Sequence, residues 1–519
     1  MKKKKWLMPL LRRRFFVAFL ILIQVLAFCY FLWSGSVFSS VLSGAFRVIS
    51  LIVALLVLSG KGESSYKLAW IFVILIFPVV GGVLYLAFDE HFLRLSLIRR
   101  VAKAEQWMRP LLGAAGGLSL SDPQMHGCVR YLSCAAGFPA YTDTETRFLP
   151  SGTAFLEELK NALRQAEHYI FLEYFIIEHG QMWDEILEIL HERIRAGVRV
   201  RIIYDDMGCF LRLPYKYEKA LRKYGFEVAR FNPFVPFFSA EQNNRDHRKI
   251  AVIDGEIAFT GGINLADEYI GVVTPFGEWA DTAVMVKGRA ARSFALMFLQ
   301  MWQIIHKKEE DLSFFLPFTH SDVPRTADPA LLPTVTANTP LVLPYADCPL
   351  DRENVGALVY RQIIESATRY VYITTPYLII DDQIHSALTV AAKRGVDVRI
   401  VTPHKWDKRL VHMTTRSYYY SLYESGVRIY EYTPGFMHAK MVIADDRIAT
   451  VGSINFDYRS FYLHFECGTL LCGTPSVQSV KQTVLDYMAV SEEIIPKKPS
   501  GNVFARLGRA LFRLFAPLM

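Results

Sequence analysis

The stretch His247-Arg-Lys249-Ile-Ala-Val-Ile-Asp254, followed after six residues by Gly261-Gly262-Ile-Asn264, has a counterpart: His438-Ala-Lys440-Met-Val-Ile-Ala-Asp445 and, again after six, Gly452-Ser453-Ile-Asn455. The apolar or small residues between each lysine and aspartate read as a short buried strand, so histidine and lysine, two positions apart, project from one face at its start. One imidazole beside one fixed cation, then a small-residue turn and an amide, is equipment for holding a phosphate and attacking it. A solitary His-x-Lys carries no information. Recurrence of the whole pattern about 190 residues further on sets chance aside and reads as an internal duplication.

The flanks repeat in the same order. Ala154 to Ala166 reads as a helix, Tyr169 to Ile177 as a strand, Glu185 to Arg195 as a helix closed by Gly197, and Val198 to Tyr204 as a strand. Val355 to Ala367, Tyr370 to Tyr377, Ile384 to Arg394 and Gly395 to Val401 answer them in turn, and Tyr224-Gly225-Phe-Glu-Val is echoed by Ser425-Gly426-Val-Arg-Ile. Alternating strand and helix predicts two α/β sandwich lobes, over 146–312 and 341–495. A connector over 101–145, poor in period, precedes them, and a Pro-rich linker over 313–340 joins them. A chain of 519 residues is too long for one ordinary core, which suits this division.

Composition adds a membrane segment. The apolar fraction is 52% and the mean hydropathy +0.20, high for a soluble enzyme and low for a protein that is all membrane. Phe15 to Trp33 is interrupted only by Gln24 and follows the basic cluster of Lys2 to Lys5 and Arg12 to Arg14; it reads as a retained helix rather than a cleaved signal peptide. Val48 to Leu58 and Leu68 to Phe88 are further apolar runs, the second containing Pro78 and Gly81-Gly82. Two or three transmembrane helices over 1–100 are expected. Basic clusters before the first run and after the last, at Arg94, Arg99, Arg100 and Lys103, both ask to be cytoplasmic, which three full spans do not allow. The net charge of +8 is largely this amino-terminal cluster, so it points to an anionic membrane surface before nucleic acid. The tail over 496–519 segregates apolar and basic residues at helical spacing, as for a helix lying on a membrane or docked on the body. Seven cysteines without a C-x-x-C pair read as buried small hydrophobes, neither a zinc site nor a disulfide framework.

Cleaving a phosphodiester without metal needs a nucleophile, an acid for the departing alkoxide and cations on the non-bridging oxygens. His247 and His438 supply the first two roles. Lys249, Lys440, Asn264, Asn455 and Ser453 are the expected holders of the phosphoryl oxygens, and Asp254 and Asp445 complete the motifs by fixing their loops. Each imidazole needs a carboxylate on its other nitrogen. Asp281 and Glu466 follow the two motifs, and sequence does not say which acid serves which histidine.

Both stretches are similar to the HKD motif of the phospholipase D superfamily. From about residue 45 onward the chain resembles its cardiolipin synthase branch, notably in Arg245-Asp-His247-Arg-Lys249-Ile, Gly261-Gly-Ile-Asn264 with Asp267-Glu-Tyr269, Ile373-Thr-Thr-Pro-Tyr377 and Asp457-Tyr-Arg459-Ser460-Phe. The resemblance implies a tandem duplicated phospholipase D fold preceded by transmembrane helices, with both motifs meeting at one cleft. It implies transfer of a phosphatidyl group between two phosphatidylglycerols, giving cardiolipin and glycerol through a phosphatidyl-histidine on His247, with His438 as acid and then base. It further implies a bacterial inner-membrane location with the body at the cytoplasmic face, anionic lipids as partners, no nucleic acid, and no metal or organic cofactor. Two positions depart from the branch: Ala280 stands where arginine is usual and His464 where asparagine is usual. His464 lies beside Glu466, but no third metal ligand has a matching spacing. A phospholipase D hydrolysing the same intermediate, a superfamily nuclease and a non-catalytic scaffold are the rival readings; the hydrophobic amino terminus speaks against the second and the two whole motifs against the third.

Overall fold

The computed structural model describes residues 37–60, 63–77, 95–112, 119–120, 123–234, 240–315, 334–335, 339–351, 353–498 and 503–518, with Leu26, Tyr30, Gly81, Gly82 and Tyr85 as single positions. The chain divides into two compact units, one of Met1–Ser96, Phe234–Asn244 and Gly501–Met519, the other of Leu97–Pro233 and Arg245–Ser500.

The larger unit contains both lobes. The first is built from β1 (Thr144–Leu149), β2 (Tyr169–Tyr174), β3 (Arg199–Asp205), β4 (Glu227–Phe231), β5 (Arg245–Asp246), β6 (Lys249–Ile253), β7 (Ile257–Gly261), β8 (Glu278–Ala280) and β9 (Ala283–Gly288). Seven of these form one mixed sheet in the order β1-β9-β7-β6-β2-β3-β4. The expected strand at Tyr169 is β2, buried along its whole length because both sheet faces are covered. The helix expected from Ala154 spans Gly152–Arg164, started by Ser151, whose hydroxyl accepts from the Ala154 N–H. The helix expected from Glu185 starts earlier, at Gln181, because Asp267 accepts from the N–H groups of Gln181 and Met182.

The second lobe repeats the plan with β10 (Leu341–Asp347), β11 (Tyr370–Thr374), β12 (Asp397–Pro403), β13 (Arg428–Tyr432), β14 (Gly435–Met437), β15 (Met441–Ala444), β16 (Ile448–Gly452), β17 (His464–Cys472) and β18 (Ser491–Ile494). Its sheet runs β10-β17-β16-β15-β11-β12-β13-β18, the order of the first lobe with one strand added. The lobes exchange short strands. β5 pairs in parallel with the start of β17, Arg245 opposite His464, and β14 pairs in parallel with β8, Met437 opposite Ala280. Helix Ala291–His306, apolar nearly all round and buried nearly throughout, touches strands of both lobes.

Each motif aspartate sits in the hairpin turn after its strand. Asp254 and Gly255 have φ of 53° and 73°, and Asp445 and Asp446 have 55° and 64°, the left-handed pair that a two-residue hairpin loop requires and that aspartate tolerates. The Asp254 carboxylate accepts from the N–H groups of Glu167, His168 and Tyr169 at 2.7–2.8 Å. Asp445 does the same for Thr368, Arg369 and Tyr370, and also accepts from the Thr368 hydroxyl.

Three expectations change in detail. The segment 101–145 holds helix Leu95–Leu112 and helix Pro123–Arg130, which runs into a wide turn at Tyr131–Ala136; Leu97, Val101, Ala104, Met108 and Leu112 recur at helical spacing and are buried. Most of the Pro-rich linker lies outside the described residues, though Thr334–Val335 pairs with Ser119–Leu120. Cys134 is exposed and Cys348 half-buried, while Cys128, Cys209, Cys467 and Cys472 are buried.

In the smaller unit, helix Val37–Ser59 contacts helix Ser64–Ile76, with Val57, Trp70 and Ile74 buried between them. The tail forms helix Val503–Phe515 and packs on Ser64–Ile76, Phe515 lying edge-on to Phe72 at 5.8 Å. The run Phe15–Trp33 falls outside the described residues apart from Leu26 and Tyr30, as does most of the third run beyond Phe77. Among the described residues, no helix is long and apolar enough to cross a membrane.

Burial alone would raise the pKa of Asp445, but the donors from Tyr370, Thr368 and Arg369 outweigh it and hold the carboxyl below its usual range. A depressed folded-state pKa stabilises fully above the unfolded value and is lost as pH falls through the folded one. Asp445→Asn, which keeps the turn, is expected to destabilise the protein by about 2 kcal/mol at neutral pH. Thermal unfolding of the two proteins should converge as the pH falls below the ordinary carboxylate range.

Candidate active site

The strand exchange places each histidine. His247 follows β5, and its N–H donates to the carbonyl of Phe465 at 2.9 Å; His438 follows β14, and its N–H donates to the carbonyl of Ala280 at 2.8 Å. The residue after each of those carbonyls is an acid: Glu466 after Phe465, and Asp281 after Ala280. His247 Nδ1 lies 2.9 and 3.1 Å from the two Glu466 oxygens, and His438 Nδ1 lies 2.5 Å from Asp281 Oδ2. Each imidazole is therefore oriented by the acid of the opposite lobe. A carboxylate only accepts, so it fixes the proton on Nδ1 and leaves the Nε2 lone pair available.

The two halves solve the same packing problem with different atoms. A Cβ at Gly262 would stand 2.1 Å from Asp281 Oδ1, so the shorter acid sits where only glycine leaves room. At the matching position, Ser453 donates to the longer Glu466 at 2.5 Å and to the Cys467 carbonyl at 3.2 Å. Ser453 was expected to hold a phosphoryl oxygen; its hydroxyl is instead committed to the orienting acid. Asn264 donates one of its two amide hydrogens to the Tyr269 hydroxyl at 2.7 Å and accepts from the Ile176 N–H at 3.1 Å. Asn455 is buried, with its side-chain oxygen lacking a hydrogen-bond partner among the described residues.

The lysines lie beside their own histidines. Lys249 Nζ donates to the His247 carbonyl at 2.6 Å; Lys440 Nζ donates to the His438 carbonyl and lies 2.9 Å from His438 Nδ1. Aromatic rings wall the imidazoles: Phe175 stands 4.9 Å from His247, and Trp279 and Tyr269 stand 5.5 and 5.7 Å from His438. Sequence reading missed this wall, although Tyr269 lies in a quoted stretch and Trp279 stands two residues before Asp281. The Ala280 side chain is buried, and the position serves through its backbone carbonyl. Two groups of side chains have metal-ligand spacing among the described residues, His247 with His464 and Glu466, and Glu105 with Cys348 and Asp351.

Desolvation dominates the electrostatics. It lowers His247 well below the ordinary imidazole value, helped by Lys249 and Lys440, and brings His438 to about 4 despite Asp281. It also lowers Lys249 to about 8 and Lys440 to about 7. The resting site thus sheds positive charge, and an anion bound there restores it.

Residues 159–302 and 360–487 match the family described as cardiolipin synthase, PLD-like domain, and residues 48–88 match the phospholipase D-nuclease N-terminal family. A cardiolipin synthase of Halalkalibacterium halodurans is 34% identical over 489 residues, covering 92% of this chain and 94% of its own. A cardiolipin synthase of Geobacillus kaustophilus is 32% identical over 497 residues, covering 94% and 95%. An uncharacterised protein of Streptococcus mutans is 41% identical over 460 residues, covering 87% and 96%. Among solved structures, a phosphatidylserine synthase of Haemophilus influenzae aligns with a TM-score of 0.51 at 16% identity, over 67% of this chain and 87% of that one, a likeness of fold.

Because an anion reprotonates groups that titrate near neutrality, binding of a short-chain phosphodiester lipid at pH 7 to 8 is expected to take up protons. Calorimetry in buffers of different ionisation enthalpy measures this. Uptake should grow as pH rises through the free-state lysine values, and affinity should fall above about 8. Proton release on binding would contradict the assignment.

Proposed function

Since the chain belongs to the cardiolipin synthase, PLD-like family, we propose that it transfers a phosphatidyl group from one phosphatidylglycerol to another, releasing glycerol, through a covalent phosphatidyl-histidine. The observation that carries the reading is the reciprocal pairing of His247 with Glu466 and of His438 with Asp281. It gives one site two imidazoles, each with a free Nε2.

His247 is the proposed nucleophile. Its depressed pKa keeps it unprotonated, and its acid is held by a serine, which stabilises the charge that develops on the ring. The Nε2 lone pair attacks phosphorus, the P–O bond to glycerol breaks, and His438, protonated once the anionic substrate is bound, gives its proton to the departing oxygen. His438 then takes the proton from a hydroxyl of the second lipid, whose oxygen attacks phosphorus and breaks the P–N bond. Lys249 and Lys440 neutralise the non-bridging oxygens. The residues named here supply nucleophile, acid, base and cations without a metal or an organic cofactor.

A lipid substrate is supported by exposed apolar side chains on loops and helix starts of both lobes, Leu211, Tyr215, Trp406 and Leu410, set among Lys216, Lys405, Lys408 and Arg409. Lys408 is close enough to act electrostatically on His247. We place two or three membrane-spanning helices over residues 1–100, in the bacterial inner membrane with the catalytic body at the cytoplasmic face. The apolar runs, the match over residues 48–88 and the exposed Leu51, Leu55, Leu58, Leu68 and Leu75 support this placement.

Quenching the enzyme during turnover of labelled phosphatidylglycerol should trap an acid-labile, base-stable phosphoramidate. His247→Ala should abolish both trapping and cardiolipin. His438→Ala should slow glycerol release by about 10²–10⁴-fold. Cardiolipin formed by His247→Ala at the wild-type rate would exclude the mechanism.

A further inference from the structure

The pseudo-two-fold relation sets Trp279 of the first lobe against His464 of the second, each two residues before the orienting acid. Both rings lean on the histidine of the other lobe: Trp279 stands 5.5 Å from His438, and His464 stands 5.5 Å from His247. Where one half has an indole, the other has an imidazole. Both His464 nitrogens are buried without a hydrogen-bond partner among the described residues. Its Nδ1 lies 3.8 Å from Glu466 Oε1, beyond hydrogen-bond reach. A buried imidazole with neither nitrogen bonded is unfavourable, so the position calls for a ligand.

His247, His464 and Glu466 each offer one ligand atom, all within 4.8 Å of one another. The sequence showed no third ligand near His464 and Glu466 because the third comes from the other lobe. We propose that these three side chains bind a divalent ion of the zinc class, and that the ion inhibits the enzyme. Two imidazoles and a carboxylate are a zinc donor set, whereas magnesium and calcium prefer oxygen ligands. At bond lengths of about 2.0–2.2 Å, tetrahedral donors sit about 3.2–3.6 Å apart. The 3.8 Å between His464 and Glu466 therefore closes by a fraction of an ångström.

Inhibition follows from proton placement, and rests on the reading of His247 as nucleophile. An ion on His247 Nδ1 displaces the proton that Glu466 accepts, and that proton moves to Nε2. The lone pair that attacks phosphorus is then capped, and Glu466 is drawn to the metal. The ion adds no ligand to the chemistry and removes its nucleophile. The His247 and His464 side chains are 10% and 11% exposed, so the rings reach the edge of the cleft although the His464 nitrogens lie inside it.

The test uses the full-length protein in detergent, stripped with EDTA, and His464→Asn, which keeps a side chain able to bond Glu466. Zinc binding is measured by equilibrium dialysis, and cobalt binding by the visible absorption of a tetrahedral ion. The proposal expects one tight site in the wild type, weakened more than tenfold in His464→Asn, and loss of cardiolipin synthesis at zinc levels that fill the site, with the stripped variant active in the same zinc. Equal zinc affinity of the two proteins would overturn the site. Binding through His464 with undiminished synthesis would overturn the inhibition. Zinc bound by a wild type that makes no cardiolipin after stripping would leave the site standing and overturn the functional reading.

Discussion

The bond between an imidazole of one lobe and a carboxylate of the other is the constraint on which this catalytic unit rests. His247 and His438 are both buried, and the carboxylate that each Nδ1 meets belongs to the other lobe. The acceptors lie across the interface, each one residue beyond the carbonyl that already holds the histidine's own N–H. Backbone and side chain fix the same group twice, and the lobes are locked because each completes the other. Removing one partner while the lobes stay together would leave a carboxylate or an imidazole buried and unpaired, which is far less favourable than the loss of a surface contact.

Duplication produces two equivalent half-sites, and chemistry in two steps needs them to differ. The differences gather within two positions of the orienting acids. Asp281 packs against Gly262 and is met by Lys440 across His438, while Glu466 is held by Ser453 and grips His247 through both oxygens. A carboxylate held by Ser453 and facing His247 with both oxygens fixes that ring in place, which suits the proposed nucleophile. A shorter, simpler contact suits His438, which must gain and lose a proton within one turnover. Trp279 and His464 extend the asymmetry to the walls of the site, dry on one side and able to bind a cation on the other.

Local chemistry made much of this legible before any coordinates. The motif strands, the helices between them and the repeat of the whole lobe follow from period and spacing, and the aspartates at the turns follow from their place after an apolar run. What stayed hidden depends on contacts distant in the chain. The start of helix Gln181–Arg195 is set by Asp267, 86 residues on. The partner of each histidine is set by strand exchange between β5 and β17 and between β14 and β8, which no local pattern records. Ser453 carries the right chemistry for a phosphate, but its hydroxyl is directed to Glu466. The connector's glycines break its period, while Leu97, Val101, Ala104 and Met108 at its amino-terminal edge keep helical spacing.

Burial also explains how such a site waits without an anion. Cations taken from water lose charge, and Lys249 and Lys440 respond by titrating near neutrality rather than near 10. The empty cleft therefore avoids setting four positive groups against only the two orienting carboxylates. A phosphodiester, monoanionic at every physiological pH, restores those protons as it enters. The same entry raises His438 toward the value that a proton donor needs. In the proposed cycle substrate charge thus switches the acid on, and the general acid is armed only when there is a leaving group to receive its proton. A water molecule entering the resting site brings no charge and arms nothing, which favours an anionic phosphodiester as the partner that starts the proposed cycle.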